Sequence, residues 1–245
     1  RPPRSTQGVS SAASDVYKRQ EYVVVNQNLC ARIPDNTDIK EASFTVLGSI
    51  ALHGLRLSET SLGSKVVVIG LGIIGQLVCR LAEAQGSEVI GIDPDTKRTD
   101  QSDNFYTSAE EANMTNVDSV IITAATSSNE PIEVATKIAR NKAKIVVVGD
   151  IPLNISRNDF YYKELELVVS KSYGPGRYDK QYEILGKDYP IEYVRWTENR
   201  NFEAFIRLLS QNQIHLLDLV SEEVSFDSSV SIYQKFKEED KPLAV

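Results

Sequence analysis

A doubly wound α/β fold with a parallel sheet is what this sequence predicts, and three observations carry that reading. Short β-branched runs alternate with amphipathic stretches. The first of them, Val66–Ile69, is apolar throughout, as a strand buried on both faces must be. A glycine-rich turn then leads straight into a helix-period pattern.

The elements follow in order. Glu21–Val25 reads as a strand, and Pro34-Asp35 marks the loop after it. Asp38, three residues before Glu41, resembles a capping box and predicts a helix to about Leu57, with Phe44, Leu47, Ile50, Ala51 and Leu55 on one side. Residues 61–64 break the chain before the strand at Val66–Ile69. Ile73, Ile74, Leu77, Val78 and Leu81 then give a helix ending near Gly86. Strands are predicted at Glu88–Asp93, Val117–Thr123, Ile145–Val148 and Leu165–Ser170, and a helix at Glu130–Asn141 with Pro131 in its first turn. After Ser170 the alternation stops. Residues 172–177 are rich in glycine and proline, and Thr197 caps a helix carrying Phe202, Phe205, Ile206 and Leu209. Leu216–Phe226 is strand-like, Ser228–Lys237 helix-like, and Lys241–Val245 reads as the start of a strand.

Composition sets outer limits. The chain has 245 residues, 41% hydrophobic and 25% charged, enough for one large core or two smaller ones. No apolar stretch is long enough to span a bilayer. The net charge of −7 argues against nucleic acid or an anionic membrane as partner. Residues 1–20 read as a non-native or disordered leader, and without their charges the rest stands at −10. A chain with no Met at position 1 is expected to be a piece of a longer protein. Cys30 and Cys79 read as reduced thiols, which fits a cytoplasmic setting, with a disulfide between them the alternative.

Gly70, Gly72 and Gly75 fit the pattern G-x-G-x-x-G between strand and helix, and the next strand ends in Asp93, 18 residues beyond Gly75. Gly70 permits the tight turn, Gly72 bares the backbone to a pyrophosphate, and Gly75 lets the helix pack close. The helix start, with Ile73 and Ile74, offers free N–H groups and partial positive charge to phosphates. Asp93 is suited to both ribose hydroxyls and repels a 2′-phosphate, which favours NAD(H) over NADP(H). Lys97 and Arg98 just beyond soften that preference. A structural turn with a solvated Asp93 is the alternative. Residues 94–104 are polar, so the second helix of such a fold is expected to be short or missing.

From Glu21 to Val245 the chain resembles the medium-chain dehydrogenase/reductase superfamily, the zinc alcohol dehydrogenase-like fold. The resemblance rests on Phe44-Thr-Val-Leu-Gly48 through Leu55, the glycine motif, and Lys241-Pro-Leu-Ala. Within that superfamily Ile121–Thr126, Ser172–Tyr178 and Tyr193–Glu198 are most similar to the dehydrogenase half of bacterial bi-domain oxidoreductases. It implies a Rossmann NAD-binding domain at 51–174 and the remnant of a mostly β, GroES-like catalytic or substrate domain at 21–50 and 175–245. It also implies a small-molecule substrate, a homodimer and a fused second oxidoreductase module in the parent protein. Positions where zinc-binding members carry a cysteine fall near Val46 and Leu47, and Cys30, Cys79, His53 and His215 have no partner at metal spacing, so no zinc is expected in this chain.

The implied activity is NAD-dependent hydride transfer to or from a secondary alcohol or carbonyl, a sugar or nucleotide sugar among the candidates. A quinone or enone reductase, or a nucleotide-binding domain without catalysis, are the alternatives. By resemblance the nicotinamide meets the strand ends at Ala124, Ala125, Thr126, Val148, Gly149 and Asp150, near Ser172–Gly174. Tyr173, ahead of Gly-Pro-Gly, is the preferred proton relay over Lys171, His53 and Asp150, and a core tyrosine is the other reading. Arg177, Tyr178, Arg195 and Trp196 are the candidate substrate contacts, because arginine forks bind phosphate or carboxylate and a tryptophan stacks on a sugar or base. A surface salt bridge and a buried tryptophan are the alternative for that set.

Overall fold

A computed structural model describes residues 24–225, 232, 235 and 242–245. Six parallel strands form one sheet in the order β3-β2-β1-β4-β5-β6. They are β1 (Lys65–Ile69), β2 (Glu88–Ile92), β3 (Phe105–Tyr106), β4 (Val117–Ile122), β5 (Ala139–Val147) and β6 (Glu166–Val169). The chain winds outward from β1 in one direction and from β4 in the other. The reversal between them opens a crevice at the carboxyl ends of the strands, where sheets of this kind bind ligands.

Alternate side chains of each strand enter separate cores. Val66 and Val68 pack with Leu52, Leu55, Leu77, Leu81 and Phe205 on one face. Val67 and Ile69 pack with Ile122, Ile132, Ile138 and Ile145 on the other. The first face is covered by α2 (Thr45–Leu57), α3 (Ile73–Ala84) and α9 (Glu198–Ser210), the second mainly by α6 (Glu130–Ile138). Short helices α1 (Ile39–Ala42), α4 (Thr96–Thr99), α5 (Ala109–Ala112), α7 (Arg157–Lys163) and α8 (Lys180–Glu183) complete the set. This bears out the doubly wound α/β reading. No described helix is long and apolar enough to cross a membrane.

The differences from the sequence reading have local causes. The helix expected from Asp38 to Leu57 breaks in two, because Ser43 and Thr45 turn their hydroxyls onto the carbonyls of Lys40 and Ala42. Asp38 does cap α1, through the N–H groups of Lys40 and Glu41, but Glu41 reaches instead to the N–H of Leu216, 2.7 Å away. The helix predicted to Asn141 stops at Ile138, where Lys163 lays its ammonium on the carbonyls of Thr136, Lys137 and Ala139. Over its described residues, 216–225, the segment Leu216–Phe226 is not a strand, and Phe226 lies outside the described residues. Leu216 and Leu219 are buried at a spacing of three while Leu217 is exposed, and Leu217–Leu219 is a 3-10 turn. The mostly β remnant expected at 21–50 and 175–245 shows no strand among the described residues. Val24 and Val25 have no strand pairing, and the leader at 1–20 and most of 228–237 lie outside the described residues.

Helices α2 and α9 meet at a point without a side chain. A methyl group on Gly48 would stand 2.1 Å from the ring of Phe205, which is fully buried. Gly48→Ala is therefore expected to lower stability in urea unfolding by about 1–3 kcal/mol, the usual cost of overpacking. Phe205→Leu in the same chain should recover part of that loss relative to the sum of the two single changes.

Candidate functional site

The glycine turn is fixed by backbone contacts. Gly70 has φ +98°, where a side chain is strained, and a methyl there would lie 2.6 Å from the N of Ala124. One on Gly75 would lie 1.8 Å from the carbonyl oxygen of Gly70. Gly72 is different, since its nearest neighbour in that direction is a guanidinium nitrogen of Arg98 at 4.0 Å, so the turn is open there. Gly72 is the N-cap of α3 and supplies no side-chain cap, which leaves the first N–H groups, at Ile73, Ile74 and Gly75, facing that opening. The residues present fit a pyrophosphate.

Asp93 lies at the end of β2 and is buried. Its Oδ2 accepts from the N–H of Leu71 at 2.7 Å and from Arg98 at 3.1 Å, and its Oδ1 from the N–H of Asp95 at 3.0 Å. Each carboxylate oxygen accepts about two hydrogen bonds, so Oδ1 keeps capacity for a ligand hydroxyl. Arg98, also paired with Asp95, neutralises part of the charge beside the turn. The helix that should follow β2 is reduced to the four residues of α4 because residues 94–104 have nothing apolar to bury.

The other strand ends converge on the same crevice. A methyl on Gly149 would lie 2.0 Å from the carbonyl oxygen of Ala124, and the N–H of Thr126 donates to the backbone carbonyl of Asp150 at 3.0 Å. Ala125, Thr126 and Asp150 are exposed, with Ala124, Val148 and Gly149 partly so. The structure thus brings the sequence-predicted residues of β4 and β5 next to the glycine turn. Thr123, which the sequence reading passed over, donates its hydroxyl to the Gly70 carbonyl and locks the turn.

Beyond β6 a second cluster forms. Tyr173 is buried against Phe202, with the Arg177 guanidinium 4.9 Å from its ring. Burial, then the Glu198 charge, pushes its hydroxyl up to about 12, so it stays protonated. Arg177 pairs with Glu183 at 2.9 Å and also lies over the exposed ring of Tyr178. His53 is buried under Gly174, where a methyl would meet its Nδ1 at 2.9 Å. Burial and Arg56 hold it below the usual histidine range.

Asn201, fully buried in α9, donates to the carbonyl of Tyr173 at 3.0 Å and accepts from Arg56 Nε at 3.0 Å. Arg56 lies 3.3 Å from the centre of the Trp196 ring and Arg195 3.9 Å from it. Neither Asn201 nor Arg56 carried a signal beyond its place on an amphipathic helix. Among the described residues no group of three or more His, Cys, Asp or Glu is placed to hold a metal ion. Cys30 and Cys79 are both free, one exposed and one buried.

With this geometry in view, comparison with known proteins places the domain. Residues 48–159 match the model of the D-isomer specific 2-hydroxyacid dehydrogenase, NAD binding domain. The chain is 27% identical over 167 residues to 2-dehydro-3-deoxy-L-galactonate 5-dehydrogenase of Pseudoalteromonas atlantica, covering 63% of this chain and 49% of that protein. The chain therefore spans about half the length of that relative. Galactitol-1-phosphate dehydrogenase from Escherichia coli superposes with a TM-score of 0.71 at 21% identity, over 91% of this chain and 64% of that one. A Sinorhizobium meliloti protein bound to NADP superposes at 0.64 and 19%, over 82% and 57%. The class defined by fold and turn is a nicotinamide-dinucleotide-binding Rossmann domain. Within it, the resemblance to the medium-chain dehydrogenase/reductase superfamily is borne out by these relatives.

Glu198 gives this region a measurable pH dependence. It is buried, its Oε2 has no hydrogen-bond partner, and burial with the Glu183 charge pushes its carboxyl up to about 7, against the opposing pull of Arg177. The folded protein keeps a proton that the unfolded chain releases near the ordinary value of 4.5, so this contribution to stability is full below that value and is lost as pH rises through 7. Glu198→Gln should raise the melting temperature relative to wild type at about pH 8 and change it little at about pH 4.

Proposed function

We propose that this chain is the cofactor-binding part of an oxidoreductase that moves a hydride between NAD(H) and a secondary alcohol or carbonyl on a sugar, polyol or related small molecule. One observation carries the reading: the uncapped start of α3 faces an open glycine turn, with Asp93 fixed beside it at the end of β2. The relatives named for sugar-acid and sugar-alcohol dehydrogenases support the substrate class.

The N–H groups at Ile73, Ile74 and Gly75 would hold the pyrophosphate, and the free capacity of Asp93 Oδ1 would take a ribose hydroxyl. Arg98 lies where the adenosine ribose would be held, and its charge weakens the preference for NAD(H) without reversing it, because Asp93 still directs negative charge at a 2′-phosphate. The nicotinamide, which supplies or accepts the hydride when bound, belongs at the strand ends formed by Ala124, Ala125, Thr126, Val148, Gly149 and Asp150. Tyr173 is the proton relay in this reading. A phenol held neutral is suited to donate to an alkoxide forming from a carbonyl rather than to deprotonate an alcohol. Of the substrate contacts, Tyr178 and Arg195 are exposed, while Arg177 is engaged by Glu183 and the Trp196 ring by two guanidinium groups.

The domain division at 51–174, with 21–50 and 175–245 belonging to the substrate domain, and a fused second module in the parent are parts of the same proposal. So is a homodimer, for which β6 offers an open sheet edge with Val169 exposed. A reducing cytoplasm suits the two free thiols.

The test is a fluorescence titration of NADH and of NADPH against the chain and against Asp93→Ser. NADH should bind more tightly than NADPH, and Asp93→Ser should weaken NADH about tenfold and narrow the gap between the two. A folded sample that binds neither cofactor saturably would sink the proposal. Binding without turnover of any alcohol or sugar would favour the non-catalytic alternative.

A further inference from the structure

Arg56 and Arg195 both stack on Trp196, at 3.3 and 3.9 Å from the ring centre. Two groups that close to one centre must lie on opposite faces of the ring. A guanidinium stacked on an aromatic face keeps N–H groups for an acceptor. Arg56 gives its Nε to Asn201, which leaves its terminal nitrogens, and Arg195 has its whole fork. Among the described residues neither arginine has a carboxylate within salt-bridge distance.

That arrangement is electrostatically unfinished. Other partly buried arginines of this chain, Arg80, Arg177 and Arg200, are each paired with an acid. Arg56 instead has a second cation as its electrostatic neighbour, and burial together with Arg195 lowers its guanidinium to about 10. The nearest titratable side chain on its own helix, His53, is pushed towards its neutral form by burial and then by Arg56, and brings no negative charge. Arg56 also borders a cavity of about 250 Å³ between α2, α3 and α9, and Arg207, exposed and without an acidic partner among the described residues, lines the same cavity.

We propose that Arg56 and Arg195, held on the two faces of Trp196, form a binding site for the phosphate or diphosphate group of a small molecule. The forks are separated by the thickness of the ring and do not share a plane. A flat carboxylate satisfies one of them. A tetrahedral phosphate, or better a diphosphate reaching over the ring edge, presents oxygens in several directions and meets both. This site deepens the proposed substrate reading, on which it rests in sharing Arg195 and Trp196, but it needs no bound dinucleotide.

Trp196 is the single tryptophan of the chain and so reports directly. Inorganic pyrophosphate, inorganic phosphate and acetate are titrated separately into the full chain without cofactor, at ionic strength held constant with sodium chloride. Tryptophan emission is followed, and calorimetry is run in parallel. Saturable binding is expected in the order pyrophosphate, phosphate, acetate, with acetate weaker than phosphate by about tenfold or more. Arg195→Gln should weaken pyrophosphate about tenfold with an unchanged melting temperature, since that side chain is exposed. Arg56→Lys, which keeps the charge and loses the fork, should weaken it as well. No saturable signal by either method, or acetate binding as tightly as phosphate, overturns the proposal. So does pyrophosphate affinity that neither variant changes, which would place the anion elsewhere, the start of α3 included.

Discussion

The carbonyl of Gly70 is approached from two sides. The Thr123 hydroxyl donates to it, and the α carbon of Gly75 comes so near that a methyl there would stand 1.8 Å from the oxygen. This contact sets where α3 begins. Any side chain at position 75 would push the helix start away from the end of β1, and the loop through Leu71 would move with it. The bond from the Leu71 N–H to Asp93 would then break, and Asp93 would lose the donor that holds it buried. Gly149 repeats the device one strand over, against the carbonyl of Ala124. The crevice is thus shaped by backbone meeting backbone, which leaves its open side to the N–H groups of α3.

The turn at Gly70, Gly72 and Gly75 was legible in the sequence because only glycine meets its requirement and the three stand at fixed distances, whereas the Thr123 hydroxyl, the Leu71 donor and the Gly149 contact left no such mark. Strands were legible for a related reason. Burial on both faces demands unbroken apolar runs such as Val66–Ile69, and few other structures do. The misreadings occurred where one face was wet or where side chains bonded their own backbone. Ser43 and Thr45 interrupt a helix whose apolar period runs straight through them. Leu216 and Leu219 resemble a strand by composition, and only the core they fill shows that they are one turn apart. The Arg–Trp–Arg stack was half legible: Arg195 and Trp196 stood out as a pair, but Arg56 comes from a helix some 140 residues earlier, and nothing local announces it.

The charges show how unevenly the chain satisfies what it buries. Asp93 receives three donors and needs no ligand to be stable where it is. Glu198 has an oxygen with none, beside an arginine already committed to Glu183, and it answers by holding a proton more firmly. Arg56 cannot take that course, because a guanidinium does not give up its proton at neutral pH. It keeps its charge, and the aromatic ring beneath it is a weaker partner than a carboxylate.

Asn201 ties these regions together, and its chemistry permits no ready substitute. Its amide nitrogen donates to the Tyr173 carbonyl while its oxygen accepts from Arg56, so one orientation alone satisfies both neighbours. Turned over, the amide would set donor against donor and oxygen against oxygen. An aspartate at this position could pair with Arg56 but would repel the carbonyl, and a leucine would leave both groups unpaired in a fully buried place. The backbone of the loop after β6 and the guanidinium on Trp196 are therefore held by the two ends of one planar group. A displacement of Arg56 would therefore be felt through this one amide at the carbonyl of Tyr173, in the loop after β6.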